Sequence, residues 1–173
     1  MRTRIVLLAL ILDQGSKAAV SSRMEPGESV SVAGDLIRLT YTLNPGAVFG
    51  LTFGGRSLHL ILSMVALAAV AIILRRTSVK DRRGCVGLSM ILGGAIGNII
   101  DRLRFGKVID FLDLGIGDVR WYVFNVADAF VTVGVSVLLT AYLFRESPAR
   151  PGQDPGTEQP EAGSRVHGFD QGP

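Results

Sequence analysis

SLHLILSMVALAAVAIIL, residues 57–74, decides the fold: 18 consecutive residues contain no Asp, Glu, Lys or Arg. As a helix this stretch is about 27 Å long, close to a hydrocarbon core of about 30 Å. Two more charge-free runs follow, 84–100 (17 residues) and 129–144 (16 residues). Hydrophobic residues make up 48% of the 173, charged residues only 19%, below the roughly 25% of soluble domains. Mean hydropathy is +0.39. A chain this short cannot bury several such helices on all sides, so the composition points to a membrane protein.

The basic residues flank the apolar runs. Five of the nine residues at 75–83 are Arg or Lys, Arg2 and Arg4 precede the first apolar stretch, and Arg145 and Arg150 follow the last. This pattern explains the net charge of +3 as membrane orientation rather than nucleic-acid binding. It predicts four transmembrane helices at about 5–22, 57–74, 84–104 and 126–145, with both termini in the cytoplasm. Arg2, Arg4 and Ile5 to Leu12 also have the look of a secretory signal peptide. Asp13 and Lys17 follow directly, however, and apolar or small residues continue to Ser22, so a retained helix is the reading adopted.

The two long connections then face outward. Ile37, Leu39, Tyr41 and Leu43 alternate with polar residues, and Val119, Trp121 and Val123 alternate again, which are half-buried strand signatures. The expected fold class is a membrane all-α bundle of four helices with a small extracytoplasmic β platform at about 29–43 and 114–124. Residues 1–146 form the membrane domain. From 147 the chain carries five of the seven prolines and few large apolar residues, which predicts a disordered cytoplasmic tail.

Cys85 is the one cysteine, and His59 and His167 are far apart. Disulfides and cysteine zinc clusters are excluded, and no metal site and no cofactor are expected.

Four polar groups interrupt the apolar pattern at the outer ends of the spans or in the outer loops, and buried charge is costly and marks candidate functional residues. Asp13 and Lys17 share a helix face, either as a local ion pair or as a brace for a polar site. Asn44-Pro45-Gly46-Ala47-Val48-Phe49-Gly50 reads as a turn, or as an amide presented to a peptide. Gly93 and Gly97 form a GxxxG packing pair, while Gly94, Asn98, Asp101 and Arg102 make one stripe that suits a polar cleft. Asp110 lies among Phe111, Leu112 and Phe124. Asp128, three residues after Asn125, is placed to cap a helix. An apolar setting disfavours charge on Asp110 and a helix N-terminus favours it on Asp128. Two adjacent carboxylates separated in this way share one proton, as in aspartic proteases.

Together these blocks resemble lipoprotein signal peptidase, the bacterial type II signal peptidase. The stretches carrying the resemblance are Asp13-Gln14-Gly15-Ser16-Lys17, Asn44 to Phe49, Gly93 to Arg102, Val108 to Asp113, and Phe124 to Asp128, in the family's order. The resemblance implies cleavage of a diacylglyceryl-modified prolipoprotein just before its lipidated cysteine, at the outer face of the inner membrane. It implies Asp110 and Asp128 as the catalytic pair, and Asn44, Gly94, Asn98, Arg102, Val108 and Asn125 as substrate contacts. Asp13, Lys17 and Asp101 match motif positions with a supporting role. Local chemistry leaves Asp113 a rival to Asp110, and the resemblance alone separates them. The first helix has few residues before Asp13, and the polar tail matches nothing in the family pattern. Membrane lipids are the other expected partners; a monomer that binds no nucleic acid is anticipated.

Two rival functions stand beside this one. A Ser–Lys peptidase would use Ser16 or Ser21 with Lys17, although Ser16 points to a different helix face from its neighbour. A small transporter or channel subunit would place Asp13, Asp101 and Asp128 on an ion path.

Overall fold

A computed structural model describes residues 1–46 and 55–144. The tail from 147, and the Ala47 to Gly50 part of the Asn44 motif, lie outside the described residues. Four helices and four strands alternate in blocks: α1 (Arg2–Ser21), β1 (Ser29–Ala33), β2 (Ile37–Asn44), α2 (Arg56–Arg76), α3 (Arg82–Phe105), β3 (Val108–Ile116), β4 (Val119–Arg120) and α4 (Val126–Leu143).

Three of the helices are long and apolar enough to cross a membrane: Ser57–Arg76, Arg82–Phe105 and Val126–Leu143. The fourth, α1, is 20 residues long, but Arg2, Arg4, Asp13 and Lys17 dilute its apolar character. It begins at Arg2 rather than near Ile5 because Arg2 has partners of its own. Its guanidinium donates to the Thr77 carbonyl at 2.5 Å and to the Cys85 sulfur at 3.0 Å, fastening the start of α1 to the turn between α2 and α3.

The central helix is α3, which packs against the other three. Asp81 caps its first turn by accepting from the Gly84 amide at 2.8 Å, and Gly106, left-handed at φ 72, ends it. By contrast α2 and α4 turn large apolar side chains outward, including Ile61, Leu62, Val65, Val133 and Leu139. Apolar surface on that scale marks contact with lipid or a partner rather than water. Small residues let α3 and α4 approach closely. A Cβ on Gly134 would sit 2.7 Å from the Gly87 carbonyl oxygen and 2.8 Å from the Ile91 side chain.

The strands form one antiparallel sheet in the order β1-β2-β3-β4. β3 starts at Val108, not near 114, so the Val108 to Asp113 block lies inside the sheet. The Ile109 amide donates to the Asp101 carboxylate at 3.1 Å, which starts the strand as soon as α3 has ended. Residues 121–123 lie outside the strands; the chain there returns through a bridge between Phe124 and Leu112. Beneath the sheet, Val20, Tyr41, Ile109 and Phe111 form a buried cluster with Met24, Leu39, Leu43, Leu112 and Val126 packed around it. This cluster seats the sheet on the ends of α1 and α4.

The α3–α4 contact makes a direct prediction. Gly134→Val should lower thermal stability by about 1–3 kcal/mol, the usual penalty for overpacking. Thermal unfolding in detergent would check it, with wild-type stability counting against the close approach.

Candidate functional site

The polar residues singled out in the sequence come from five elements and converge where the helices meet the sheet. α1 contributes Asp13 and Lys17, which are 0% and 2% exposed. Lys17 Nζ lies 2.9 Å from Asp13 Oδ2, 2.8 Å from Asp101 Oδ2 and 3.0 Å from Asn98 Oδ1. An ammonium has three protons and no acceptor, so every proton is used. The remaining oxygen of Asp13 accepts from the Ala127 amide at 3.0 Å, at the start of α4.

That helix start carries the next layer. The Asn125 side chain accepts from the Asp128 amide at 2.9 Å, and Asp128 Oδ2 reaches back to the Asn125 amide at 3.4 Å, forming a capping box. Such a box answers two amides that the first turn leaves unpaired. The cap and the polar cluster are therefore one structure. Asn98 Nδ2 on α3 donates to Asp128 Oδ1 at 2.8 Å. Asn125 Nδ2 donates to Asn98 Oδ1 at 3.1 Å and to Asp110 Oδ1 at 2.6 Å. On β2, opposite Val108, Asn44 Nδ2 donates to Asp110 Oδ2 at 3.0 Å. Asp110 and Asp128 thus sit on either side of Asn125.

Burial is the main influence on Asp110 and pushes its carboxyl from 3.8 up to about 6. The Asn44 donor opposes this, the charge of Asp128 reinforces it, and the Asn125 donor and the more distant Lys17 oppose it again. The group is poised to keep a proton at mildly acidic pH, which ordinary carboxylates do not.

The rival Asp113 is otherwise engaged. It pairs with Arg120 at 2.9 Å and accepts from Thr40 at 2.9 Å. Residues three apart on a strand face opposite sides of the sheet, so Asp113 cannot share a face with Asp110. Because β3 runs through both positions, period-2 parity separates the two acids.

Arg102 donates to the Asn98 carbonyl at 3.3 Å, and its charge is felt by Asp128, Asp110 and Asp101. Val108 is buried at the start of β3. Gly94 lies apart from the cluster, at the contact with α4. A Cβ there would collide with the Ala127 carbonyl oxygen, so the glycine lets the first turn of α4 close on α3. Gln14 was not among the named candidates, yet its amide bridges Asp13 Oδ2 at 3.0 Å and Asp101 Oδ1 at 3.2 Å. A polar amide beside the Asp13–Lys17 pair was the available signal. Ser16 donates to the Asp13 carbonyl at 2.9 Å, an ordinary helix-backbone bond. Among the described residues no group of three or more His, Cys, Asp or Glu could hold a metal ion.

Residues 5–144 match the family described as signal peptidase (SPase) II. The chain is 40% identical to the lipoprotein signal peptidase of Halothermothrix orenii over 144 residues, covering 82% of this chain and 94% of that one. Identity to the enzyme of Moorella thermoacetica is 42% over 136 residues, covering 78% and 87% of the two chains. A solved structure of a bacterial membrane enzyme superposes with a TM-score of 0.76 at 28% identity, over 86% of this chain and 94% of its own. These relatives lend no support to a transporter or channel. The chain belongs to the signal peptidase II family, membrane enzymes that work as aspartic proteases.

Proposed function

We propose that Asp110 and Asp128 are the catalytic pair of an endopeptidase that cuts diacylglyceryl-modified prolipoproteins immediately before the lipidated cysteine. The observation that carries this reading is the meeting of the two carboxylates around Asn125, whose side chain donates to one and whose backbone donates to the other. Such a pair hydrolyses amides with one proton between two acids. Asp110 keeps that proton and polarises the scissile carbonyl. Asp128 takes a proton from water as its oxygen adds to the carbonyl carbon, and Asp110 passes its proton to the carbonyl oxygen. When the tetrahedral diol collapses, the C–N bond breaks and Asp128 delivers its proton to the leaving amine. A diol hydroxyl returns a proton to Asp110, which restores the starting state.

Asn44, Asn98 and Arg102 hold peptide carbonyls beside the pair, with Val108 against the substrate chain, while Asn125 spends both Nδ2 hydrogens on Asn98 and Asp110 and shapes the site from below. Gly94 contributes to the same surface by bringing the α4 turn close. The substrate's acyl chains stay in lipid between the helices. No metal and no cofactor take part.

The peptidase unit, residues 1–146, crosses the membrane four times as a monomer. α1 is counted as a span because Leu7, Leu8, Ile11 and Leu12 are exposed, while its central charges Asp13 and Lys17 are paired inside the protein. The basic turn at 75–83 and both termini lie in the cytoplasm. The sheet then rests on the outer leaflet of the inner membrane. In support, Ile116 and Val119 on the sheet and Trp121 and Tyr122 beside it are exposed, and Trp and Tyr favour the headgroup boundary.

Purified protein and a lipidated precursor peptide test the chemistry. Asp110→Asn and Asp128→Asn should each lower kcat by roughly 10²–10⁴-fold, with Ser16→Ala and EDTA leaving it unchanged. Cleavage by Asp128→Asn at the wild-type rate would refute the pair.

The pH dependence has a definite sign. Asp110 must carry a proton, and its carboxyl titrates at about 6, so kcat/KM should fall as pH rises through that value. It should fall again on the acid side, where the base is protonated. Initial rates across about pH 4–8 would reveal a bell, and a flat profile with chemistry rate-limiting would exclude the shared proton.

A further inference from the structure

Asn98 and Asn125 could each stand either way round, because an amide presents an acceptor at one end and two donors at the other. Which end faces each carboxylate decides whether it is held as an acceptor or forced to donate. Two donor-only neighbours fix the choice. Lys17 Nζ lies 3.0 Å from Asn98 Oδ1 and can only donate, so the oxygen end of Asn98 faces Lys17 and the nitrogen end faces Asp128, at 2.8 Å. The Asp128 amide fixes Asn125 in the same manner, leaving its Nδ2 for Asn98 Oδ1 and Asp110 Oδ1. Lys17 cannot turn away to another acceptor while Asp13 and Asp101 hold its other two protons.

We propose that Lys17 is a positioning residue for catalysis, which acts through Asn98 to keep amide donors aimed at Asp128 so that this carboxylate stays the base of the pair. This rests on the catalytic reading of Asp110 and Asp128 and deepens it. The α1 ion pair becomes part of the proton arrangement as well as a structural tie. The ammonium never touches substrate. Its charge stands one amide away from the reacting oxygens, with Asp13 beside it on α1, Asp101 and Arg102 on α3 and Asp110 on β3 as the other charged groups facing the cluster.

The test separates orientation from charge. Replacing Lys17 alone strands two buried carboxylates, so the informative variant is Lys17→Gln with Asp101→Asn. The pocket's net charge is unchanged, since one cation and one anion are removed together, and a neutral side chain of similar size faces Asn98. That side chain offers either an oxygen or a nitrogen, so Asn125 Nδ2 is then the one donor that still holds the Asn98 oxygen, and the orientation is held less firmly. The conservative counterpart is Lys17→Arg, which is again a donor only and keeps both acidic partners.

For the double variant, kcat should fall roughly 10- to 100-fold, the usual size of an effect transmitted through an outer-shell partner, with KM close to wild type. The acid limb of the rate profile should move about one unit to higher pH, because the ionised base has lost an assured donor. Lys17→Arg should keep the wild-type profile. A folded double variant with an unmoved pH profile would overturn the proposal, whatever its rate. So would Lys17→Arg displacing the acid limb by about one unit to higher pH, and that outcome can be read even if the double variant fails to fold. Wild type and Asp128→Asn run beside them keep the two readings apart. If Asp128→Asn still cleaves, the catalytic pair itself is wrong; if Asp128→Asn is inactive and only the Lys17 expectations fail, the pair stands and the positioning role falls.

Discussion

A single buried ammonium ties together most of what the site needs. Lys17 is held between Asp13 on its own helix and Asp101 on α3, and each acid uses a further oxygen contact elsewhere. Asp13 receives the Ala127 amide of α4, and Asp101 receives the Ile109 amide of β3. Three helices and a strand are thereby fixed by one charged knot. Removing one partner from such a buried arrangement typically costs about 3–5 kcal/mol. Registry is the larger consequence. Apolar helices in lipid gain little by choosing one contact over another, since lipid tails are as apolar as leucine. Only directional, fully paired groups make one helix height better than its neighbours.

This constraint explains why the proposed acids can be far apart in sequence and still meet. Asp110 is carried by a strand whose first amides are anchored to the end of α3. Asp128 is carried by a helix whose first turn is anchored to α1 and capped by Asn125. Both anchors lead back to Lys17. The close approach of α3 and α4 at Gly94 then brings Asn98 within 2.8 Å of Asp128. Small residues set the distance between the helices, and charged ones set their height.

Much of this was legible in the chain. Charge-free runs long enough to cross a bilayer located three helices, and period-2 alternation located β2 and the start of β4. The polar interruptions named nearly all of the residues that converge. What escaped follows from tertiary contacts that no local pattern records. The start of β3 at Val108 is set by a hydrogen bond to Asp101, in a stretch whose apolar and acidic residues do not alternate strictly. Gly94 shares the spacing of a polar stripe, yet its lack of a side chain serves the contact with Ala127. Asp113 looked equivalent to Asp110 by composition, and only the extent of β3 puts it on the other face, where Arg120 and Thr40 hold it. Gln14 was overlooked because its bridge between Asp13 and Asp101 exists only once α1 packs on α3.

The nature of the groups around the acids is itself informative. Among the described residues, the direct side-chain contacts of Asp110 are two amides, Asn44 and Asn125, rather than a lysine or arginine. A cation touching it would hold the carboxylate ionised and remove the acid the proposed reaction requires. Amides fix the geometry with weaker opposition to protonation, and burial then dominates, so the group titrates at about 6. Lys17 is still felt there, as the smallest of the named influences. Placing the cation two amides away from Asp110, behind Asn98 and Asn125, reconciles two demands that would otherwise conflict: a charge strong enough to order the helices, and a carboxyl left free to keep its proton.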